Sequence, residues 1–148
     1  MSGYIRIPDP AASFRFLVQV GHMVAGRFTE CSGLEFTAEI KTYEEGGLNS
    51  TVHQLPGRFK FSPVTLKKGV GMDGAVLWDW VKQTVNGHIE AKDVTVILLD
   101  PLGFVPIRIW TLHNAYPTKW SLSGIAANAT EIVVEELQLA HQGMDFAQ

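Results

Sequence analysis

Cysteine, charged residues and long apolar runs are all scarce in this chain of 148 residues. Its one cysteine, Cys31, cannot close an intrachain disulfide, which fits synthesis in a reducing compartment. The longest apolar run, residues 94–99, is far shorter than the roughly 20 residues that a membrane-spanning helix needs. The N-terminus has no basic segment followed by an apolar stretch, so no signal peptide is predicted. We therefore expect a protein made in the cytoplasm without a direct membrane anchor.

Charge and composition bound the class of protein. Charged residues make up 18% of the chain and the formal net charge is −3. This weak acidity argues against a dedicated nucleic-acid-binding domain, which usually carries a basic face. Apolar residues make up 46%, an ordinary globular composition, and the length suits one domain with a real core. We expect an extended N-terminal arm over residues 1–12, which contains Pro8 and Pro10, and a single domain over residues 13–148.

Motifs that carry chemistry are also missing. The sequence has no G-x-S-x-G, no Walker loop, no G-x-G-x-x-G and no H-E-x-x-H. Its five histidines lack the close spacing of local metal ligands, and one cysteine gives no zinc signature. Glu35 and Glu39 share a face of a predicted strand about 13 Å apart, too far for an acid–base pair acting on one bond. These observations favour a protein that is not an enzyme and holds no cofactor and no metal.

Alternation of apolar and polar residues is what the sequence has in abundance. It is clearest over residues 34–45, which predict a long strand with one apolar and one polar side, as in a half-solvated antiparallel sheet. The apolar side holds Leu34, Phe36, Ala38 and Ile40. The polar side holds Glu35, Thr37, Glu39 and Lys41.

One helix is predicted over residues 73–86, with Asp73 as N-cap and Asn86-Gly87 as its stop. Its apolar face follows the helical period at Leu77, Trp80, Val81, Thr84 and Val85. The larger aromatic residues are predicted to be core and interface anchors rather than the walls of a ligand pocket. They are Trp78, Trp80, Phe104, Trp110, Tyr116 and Trp120.

The second half of the chain continues the strand pattern. Residues 104–120 predict a long strand that is broken at Pro117. Residues 130–141 change their alternation midway, which predicts one bulge near Glu135-Glu136. The whole pattern predicts a mainly β fold of seven or eight strands and one helix, arranged as two packed antiparallel sheets in a sandwich or small barrel.

The stretch "STVHQLPGRFKFSPVTLKKG", residues 50–69, stands apart from this pattern. Its first part is basic and rich in turn-forming residues, and it leads into a strand near Val64. An exposed basic loop of this kind is not needed for folding. From the residues alone it could bind a ligand, contact a nucleic acid or hold another copy of the chain.

Seven short stretches in one order decide between these roles. They span about residues 13–143 and read "FRFLVQVG", "FTECSGLEFTAEIKTYEEGG", "HQLPG", "VTLKKGV", "LWDWV", "HNAYPTKW" and "ATEIVVEELQLAH". In this order the chain resembles the tail tube proteins of contractile-tailed phages, and equally the inner tube subunits of extracellular contractile injection systems. After "LPG" the chain departs from the polar residues expected, with "RFKF" at residues 58–61.

The resemblance implies a fold and an assembly. Members of the family form two antiparallel sheets with one short helix, and identical copies close into a hexameric β-barrel ring around a channel. Rings stack into a tube inside a contractile sheath, and sheath contraction drives the tube through a target envelope. A long hairpin-like loop contacts neighbouring copies, and it matches about residues 44–61 here.

The resemblance also places site residues. The inter-subunit loop would use Glu44, Glu45, His53, Leu55, Pro56, Gly57, Arg58 and Lys60. Its basic residues would meet acidic residues such as Glu44, Glu45 or Glu131 of a neighbour. The lumen would be lined by Glu35, Thr37, Glu39 and Lys41, while the apolar residues of the same strand would pack on the second sheet.

Partners and alternatives follow from the same resemblance. Expected partners are further copies of the chain, a sheath protein, baseplate and tube-terminating proteins, and either protein effectors or DNA as cargo. The particle would be an injection particle or a phage tail, assembled from protein made in the bacterial cytoplasm. Two other functions stay open: a type VI secretion-like tube protein, and a monomeric β-barrel that binds a small ligand.

Overall fold

The computed structural model describes residues 16–44, 52–69, 75–125 and 133–147, without the side chains of residues 43, 44 and 52–56. The predicted arm over residues 1–12 and the predicted N-cap Asp73 lie outside these residues. The described residues form ten strands and one helix. They are β1 (Phe16–Val20), β2 (Met23–Phe28), β3 (Glu30–Ser32), β4 (Phe36–Glu44), β5 (Val52–Phe61), β6 (Val64–Gly69), α1 (Ala75–Val85), β7 (Lys92–Leu99), β8 (Pro106–Ser123), β9 (Val134–Ala140) and β10 (Gly143–Ala147).

Two antiparallel sheets share the long strand β8. The first sheet has the order β2-β1-β7-β8-β10 and uses the first half of β8, and the second has the order β8-β9-β6-β3 and uses its second half. Strands β2 and β3 follow each other in the chain but end in different sheets, so the chain turns a corner near Thr29, whose N–H donates to the Lys67 carbonyl. The predicted mainly β fold of two antiparallel sheets is confirmed.

The core lies between the two sheets. Alternate residues of the strands point into it from both sides, as period-two side-chain geometry requires. The first sheet contributes Val18, Val94, Val96 and Leu112, and the second contributes Val64, Leu66, Leu137 and Leu139, all fully buried. These aliphatic layers account for the alternation in β1 and β6 and in the second half of β9.

Helix α1 covers one open side of the sandwich. Leu77, Trp80 and Val81 are buried on it as predicted, but Val85 is 80% exposed, so the predicted apolar face is too long by one position. The helix ends in a Schellman motif, in which Gly87 takes a φ of +90°. There the His88 N–H donates to the Gln83 carbonyl and the Gly87 N–H to the Thr84 carbonyl.

Two predicted irregularities lie elsewhere than expected. Strand β8 is not broken at Pro117; it continues through it, and its register against β9 shifts between Pro117 and Lys119. A bulge there accommodates a residue that has no N–H to donate. Strand β9 has regular register against β6 from Val134 to Leu139, so the bulge predicted near Glu135-Glu136 is wrong.

Two strands lie where the sequence pattern does not predict them. Residues 52–61 were interpreted as a loop, yet they form β5 and pair with β4. The last stretch, Gly143–Ala147, forms β10 and pairs with β8 from His113 to Ile109. In β5 the turn-forming residues Pro56 and Gly57 interrupt the alternation, and β10 is only five residues long.

Candidate assembly hairpin

Strands β4 and β5 form a hairpin that belongs to neither main sheet. They pair antiparallel from Phe36 opposite Phe61 to Glu44 opposite Val52. The strands that precede and follow them, β3 and β6, pair with each other inside the second sheet. One long hairpin is therefore interrupted at residues 33–35 and 62–63, and its outer part, β4–β5, projects from the body. We call this outer part the assembly hairpin.

The interruption depends on Gly33. Its φ is +85°, a conformation that favours glycine, and a Cβ built on it would lie 2.1 Å from the Pro63 carbonyl oxygen. The Glu35 N–H donates to the Gly33 carbonyl at 2.8 Å, and the Ser62 hydroxyl donates to the Glu35 carboxylate at 2.7 Å. These contacts hold the two chain segments together where regular pairing stops.

One face of the assembly hairpin is apolar and uncovered. Directly opposite residues of an antiparallel pair share a face, so Phe36, Ile40 and Phe59 belong to one side with Ala38. Phe36, Ile40 and Phe59 are 53%, 65% and 57% exposed, and the two phenyl rings meet edge to face with centroids 5.8 Å apart. An isolated two-stranded ribbon with such a face is at most marginally stable in water. A partner surface is needed to bury it.

The other face of the hairpin is charged. Lys60 lies opposite Thr37, and its Nζ is 3.0 Å from the Glu39 carboxylate. Lys41 and Arg58 are exposed on the same strands. Strand β5 bulges opposite Glu39, where Gly57 and Arg58 together face this one residue, and a Cβ on Gly57 would be 2.9 Å from the Glu39 carbonyl oxygen.

The second sheet carries a polar row of its own. Glu30, Lys67, Glu136 and Ser121 lie directly opposite one another across β3, β6, β9 and β8. The Lys67 Nζ is 3.6 Å from the Glu30 carboxylate. Because the next row, from Cys31 to Trp120, packs on the core, the row of charges faces away from it. The body and the hairpin thus each carry one polar face with charges of both signs.

The structure places only some of the predicted site residues on the same strands. Thr37, Glu39 and Lys41 alternate along β4 as predicted for a lumen lining, whereas Glu35 precedes the strand and bonds to Ser62. Among the predicted inter-subunit residues, Arg58 and Lys60 lie on the strand that also carries Gly57. Glu45 lies outside the described residues, as do the side chains of Glu44, His53, Leu55 and Pro56. The lumen-facing and inter-subunit roles of these residues stay predictions.

The apolar residues of β4 depart from expectation. They were expected to pack on the second sheet, but of these only Leu34 packs against the core, and Phe36 and Ile40 point to solvent. The physical reason is the kink at Gly33, which directs the strand out of the body after Leu34. The alternating pattern signals that one side is covered, but it does not say by which molecule.

Two strand edges, at the two ends of the second sheet and along the hairpin that follows one of them, lack a partner among the described strands. One is the β3–β4 edge, since β3 pairs only with β6 and β4 only with β5. The other is the last part of β8, residues 118–123, which pairs with β9 on one side and lies beyond the end of its pairing with β7 at Ala115. Exposed strand edges present unpaired N–H and C=O groups that can pair with another chain.

Titratable side chains with a shifted pKa lie away from the hairpin. Burial raises the pKa of the Cys31 thiol to about 12. The His113 Nε2 is 2.6 Å from the Asp145 carboxylate, and this hydrogen bond raises the pKa of the imidazole. The charges of Asp145 and Asp93 raise this pKa further, and slight desolvation opposes them.

Across the described segments, no three His, Cys, Asp or Glu side chains are placed to hold a metal ion. None of the helical residues described forms a span long and apolar enough to cross a membrane.

Comparison with known families gives one match over nearly the whole chain. A family described as T4-like virus tail tube protein gp19 matches residues 12–145. No curated protein sequence matches the chain.

Solved structures match over the whole fold. The chain resembles a subunit of an extracellular contractile injection system, the PVC sheath–tube complex in the extended state, with 28% identity and a TM-score of 0.74 over 97% of this chain and 93% of that one. It resembles a subunit of the anti-feeding prophage baseplate, solved with 6-fold symmetry, with 25% identity and a TM-score of 0.71 over 95% and 97% of the two chains. A type six secretion system protein shares the fold, with 12% identity and a TM-score of 0.61 over 90% and 82%.

Proposed function

This chain belongs to the tail tube protein family, and we propose that its copies close into hexameric rings that stack into a hollow tube driven through a target envelope. Membership of the family confirms that the chain is a structural tube subunit and not an enzyme. The assembly hairpin carries the proposal for the ring. It combines a large uncovered apolar face with a charged face and an unpaired edge.

Ring closure follows from the two free edges. The β3–β4 edge of one copy can pair with the β8 edge at residues 118–123 of the next, because these edges lie at opposite ends of the second sheet. The two edges are different surfaces, so the contact is heterologous and repeats from copy to copy until the ring closes. Closure leaves neither of these two edges exposed. A 6-fold symmetrised relative supports six copies.

The polar face then lines the lumen. Thr37, Glu39 and Lys41 lie on the charged face of the assembly hairpin, and the row from Glu30 to Ser121 continues it across the second sheet. Glu35 would lie at the kink between them. In the ring, Arg58 would contact acidic residues of a neighbouring copy, such as Glu44, Glu45 or Glu131, whereas Lys60 already pairs with Glu39 of its own chain.

Partners outside the tube come from the relatives. Because similar chains occur in a sheath–tube complex, a baseplate and a sheath/tube terminator, we propose a sheath, a baseplate and a tube-terminating protein as partners. Identities of 28% and 25% to injection-system subunits, against 12% to a type six secretion protein, favour an injection particle. The chain would be made in the bacterial cytoplasm and assembled there into the particle.

Polypeptide is the cargo that the polar face favours. Lys41, Arg58 and Lys67 are placed on this face, and basic side chains bind nucleic-acid phosphates with release of counterions. A lumen that carries acidic and basic side chains together would bind and slow DNA more strongly than it would slow a polypeptide of mixed charge. Purified particles should therefore protect protein from protease and should not protect DNA from nuclease.

The experiment that tests the ring is direct. The purified chain should form rings or tubes in negative-stain electron micrographs, and its mass in solution should be that of a hexamer or a larger assembly. A chain that stays monomeric at high concentration, and that is absent from sheathed particles of its source, would contradict the proposed function.

A further inference from the structure

An apolar cleft lies between helix α1 and the second half of β8. Its volume is about 190 Å³, and it is lined by Val81, Thr84 and Val85 from the helix and by Pro117, Thr118, Lys119 and Trp120 from the strand. The bulge after Pro117 displaces the strand locally where the helix passes over it. The cleft therefore results from a strand irregularity beside a helix end.

The rim of the cleft exposes apolar side chains that nothing in the described chain covers. Val85 is 80% exposed and Trp78 is 48% exposed. The Trp78 ring stands edge to face on the Trp120 ring, with centroids 5.1 Å apart. The Trp120 Nε1–H donates to the Glu135 carboxylate at 2.8 Å, so the one polar atom of that indole is already bonded. Most of the surface that the cleft offers to a partner is therefore hydrocarbon.

The cleft adjoins one of the two free strand edges. Residues 118–123 of β8 form that edge, and Trp120 lies in the row of the second sheet that faces the core. A strand that pairs with this edge places its core-side residues beside Trp120 and under α1. In the proposed ring this strand is β4 of the next copy, whose apolar residues are Phe36 and Ile40.

We infer that this cleft receives the apolar face of the assembly hairpin from a second copy of the chain, an inference that rests on the proposed ring. The hairpin carries an aromatic and aliphatic face without cover, and the cleft is an apolar hollow beside the edge that this hairpin would join. The polar faces of the two copies then meet on the lumen side, which keeps Lys60 and Lys67 in water. Burial of Phe36, Ile40 and Phe59 together would supply the association energy that edge hydrogen bonds alone do not.

Cross-linking between copies tests the contact. In the variant Ile40→Cys/Val85→Cys, a short bifunctional maleimide applied to assembled tubes should join neighbouring copies into a ladder of covalent oligomers. Wild-type tubes should give no ladder. Cys31 should not interfere, because its thiol is largely buried and its pKa is raised to about 12. The matched control Ile40→Cys/Val24→Cys places the second thiol at an equally exposed position on β2, and it should give no ladder.

A second variant checks the cleft without cross-linking. Val85→Glu changes an exposed side chain, so the monomer should fold as before, but tube formation should fall at least tenfold. Val24→Glu should leave tube formation unchanged.

The outcomes separate this inference from the proposed function. Tubes that form but give no 40–85 ladder, or that form equally well with Val85→Glu, would overturn the docking of the hairpin and leave the tube function intact. A small apolar ligand retained in the cleft of assembled tubes would overturn it as well. A wild-type chain that forms no tubes would overturn the proposed function itself.

Discussion

Gly33 approaches Pro63 so closely that a Cβ at position 33 would lie 2.1 Å from the Pro63 carbonyl oxygen. The contact joins the two segments between the body and the assembly hairpin. It leaves no room for a side chain at the point where β3 becomes β4.

Gly33→Ala should therefore destabilise the fold. A positive φ alone costs an L-residue about 1–3 kcal/mol, and here the backbone of Pro63 must also move. Gly87→Ala is the matched control, since Gly87 has a φ of +90° with nothing within 4 Å of the added Cβ. Urea unfolding of both variants measures the difference. Equal losses at the two positions would show that the close contact with Pro63 is unimportant.

Phe59→Ser should separate folding from assembly. Phe59 is mostly exposed and touches Phe36 edge to face, so its loss should cost the isolated chain no more than about 1.5 kcal/mol. Tubes should be lost, because the apolar face of the hairpin is interrupted. Sedimentation of assembled material together with thermal unfolding measures both effects. The control Phe104→Ser removes an equally large exposed ring from the turn before β8 and should still assemble.

His113 should make the stability of the chain depend on pH. Its hydrogen bond to Asp145 raises the imidazole pKa above 6.5, so the folded state binds the proton more tightly than the unfolded state. The stabilisation is complete below the ordinary pKa and is lost as the pH rises through the raised value. Thermal midpoints measured from about pH 5.5 to about pH 9 should fall less steeply for His113→Gln than for the wild type.

The control for this prediction is His88→Gln, which changes a histidine in the exposed turn after α1. It should keep the wild-type pH dependence. A His113→Gln profile parallel to that of the wild type would show that the Asp145 contact does not form in solution.

Trp80→Phe should weaken the junction between α1 and the body. Trp80 is fully buried, and its Nε1–H donates to the Glu90 carbonyl at 2.7 Å. The smaller ring leaves a void and an unpaired acceptor, which together should cost about 1–3 kcal/mol. Trp78→Phe, at a half-exposed position on the same helix, should change the free energy of unfolding by no more than about 0.5 kcal/mol. Equal effects at the two positions would contradict this packing.

Alternation and helical period predicted most of the body. Val64, Leu66, Leu137 and Leu139 alternate in sequence and are buried in the structure, since a two-residue period places them on one side of their strands. The prediction that Val85 is buried was wrong, because the helical period does not show where the body beneath the helix ends. Pro117 was misjudged because a bulge, which no single-residue preference reveals, accommodates it within β8.

The candidate site was predictable in its polar half only. Thr37, Glu39 and Lys41 were assigned to one strand face by their alternation, and the structure places them on β4. The exposure of Phe36 and Ile40 could not be predicted, because an apolar residue carries the same signal whether its cover is intramolecular or another chain. Strand β5 could not be predicted from residues 52–61, because Pro56 and Gly57 are typical of turns but here lie at the bulge of a hairpin.

Strand β8 has a mechanical consequence, because its 18 residues run without interruption from one sheet into the other. Sliding of the two layers past each other would have to bend this strand or break its ladder hydrogen bonds, in addition to shearing side-chain packing. An axial load applied to one sheet is thus transmitted to the other along the continuous backbone of β8, which connects the two sheets mechanically.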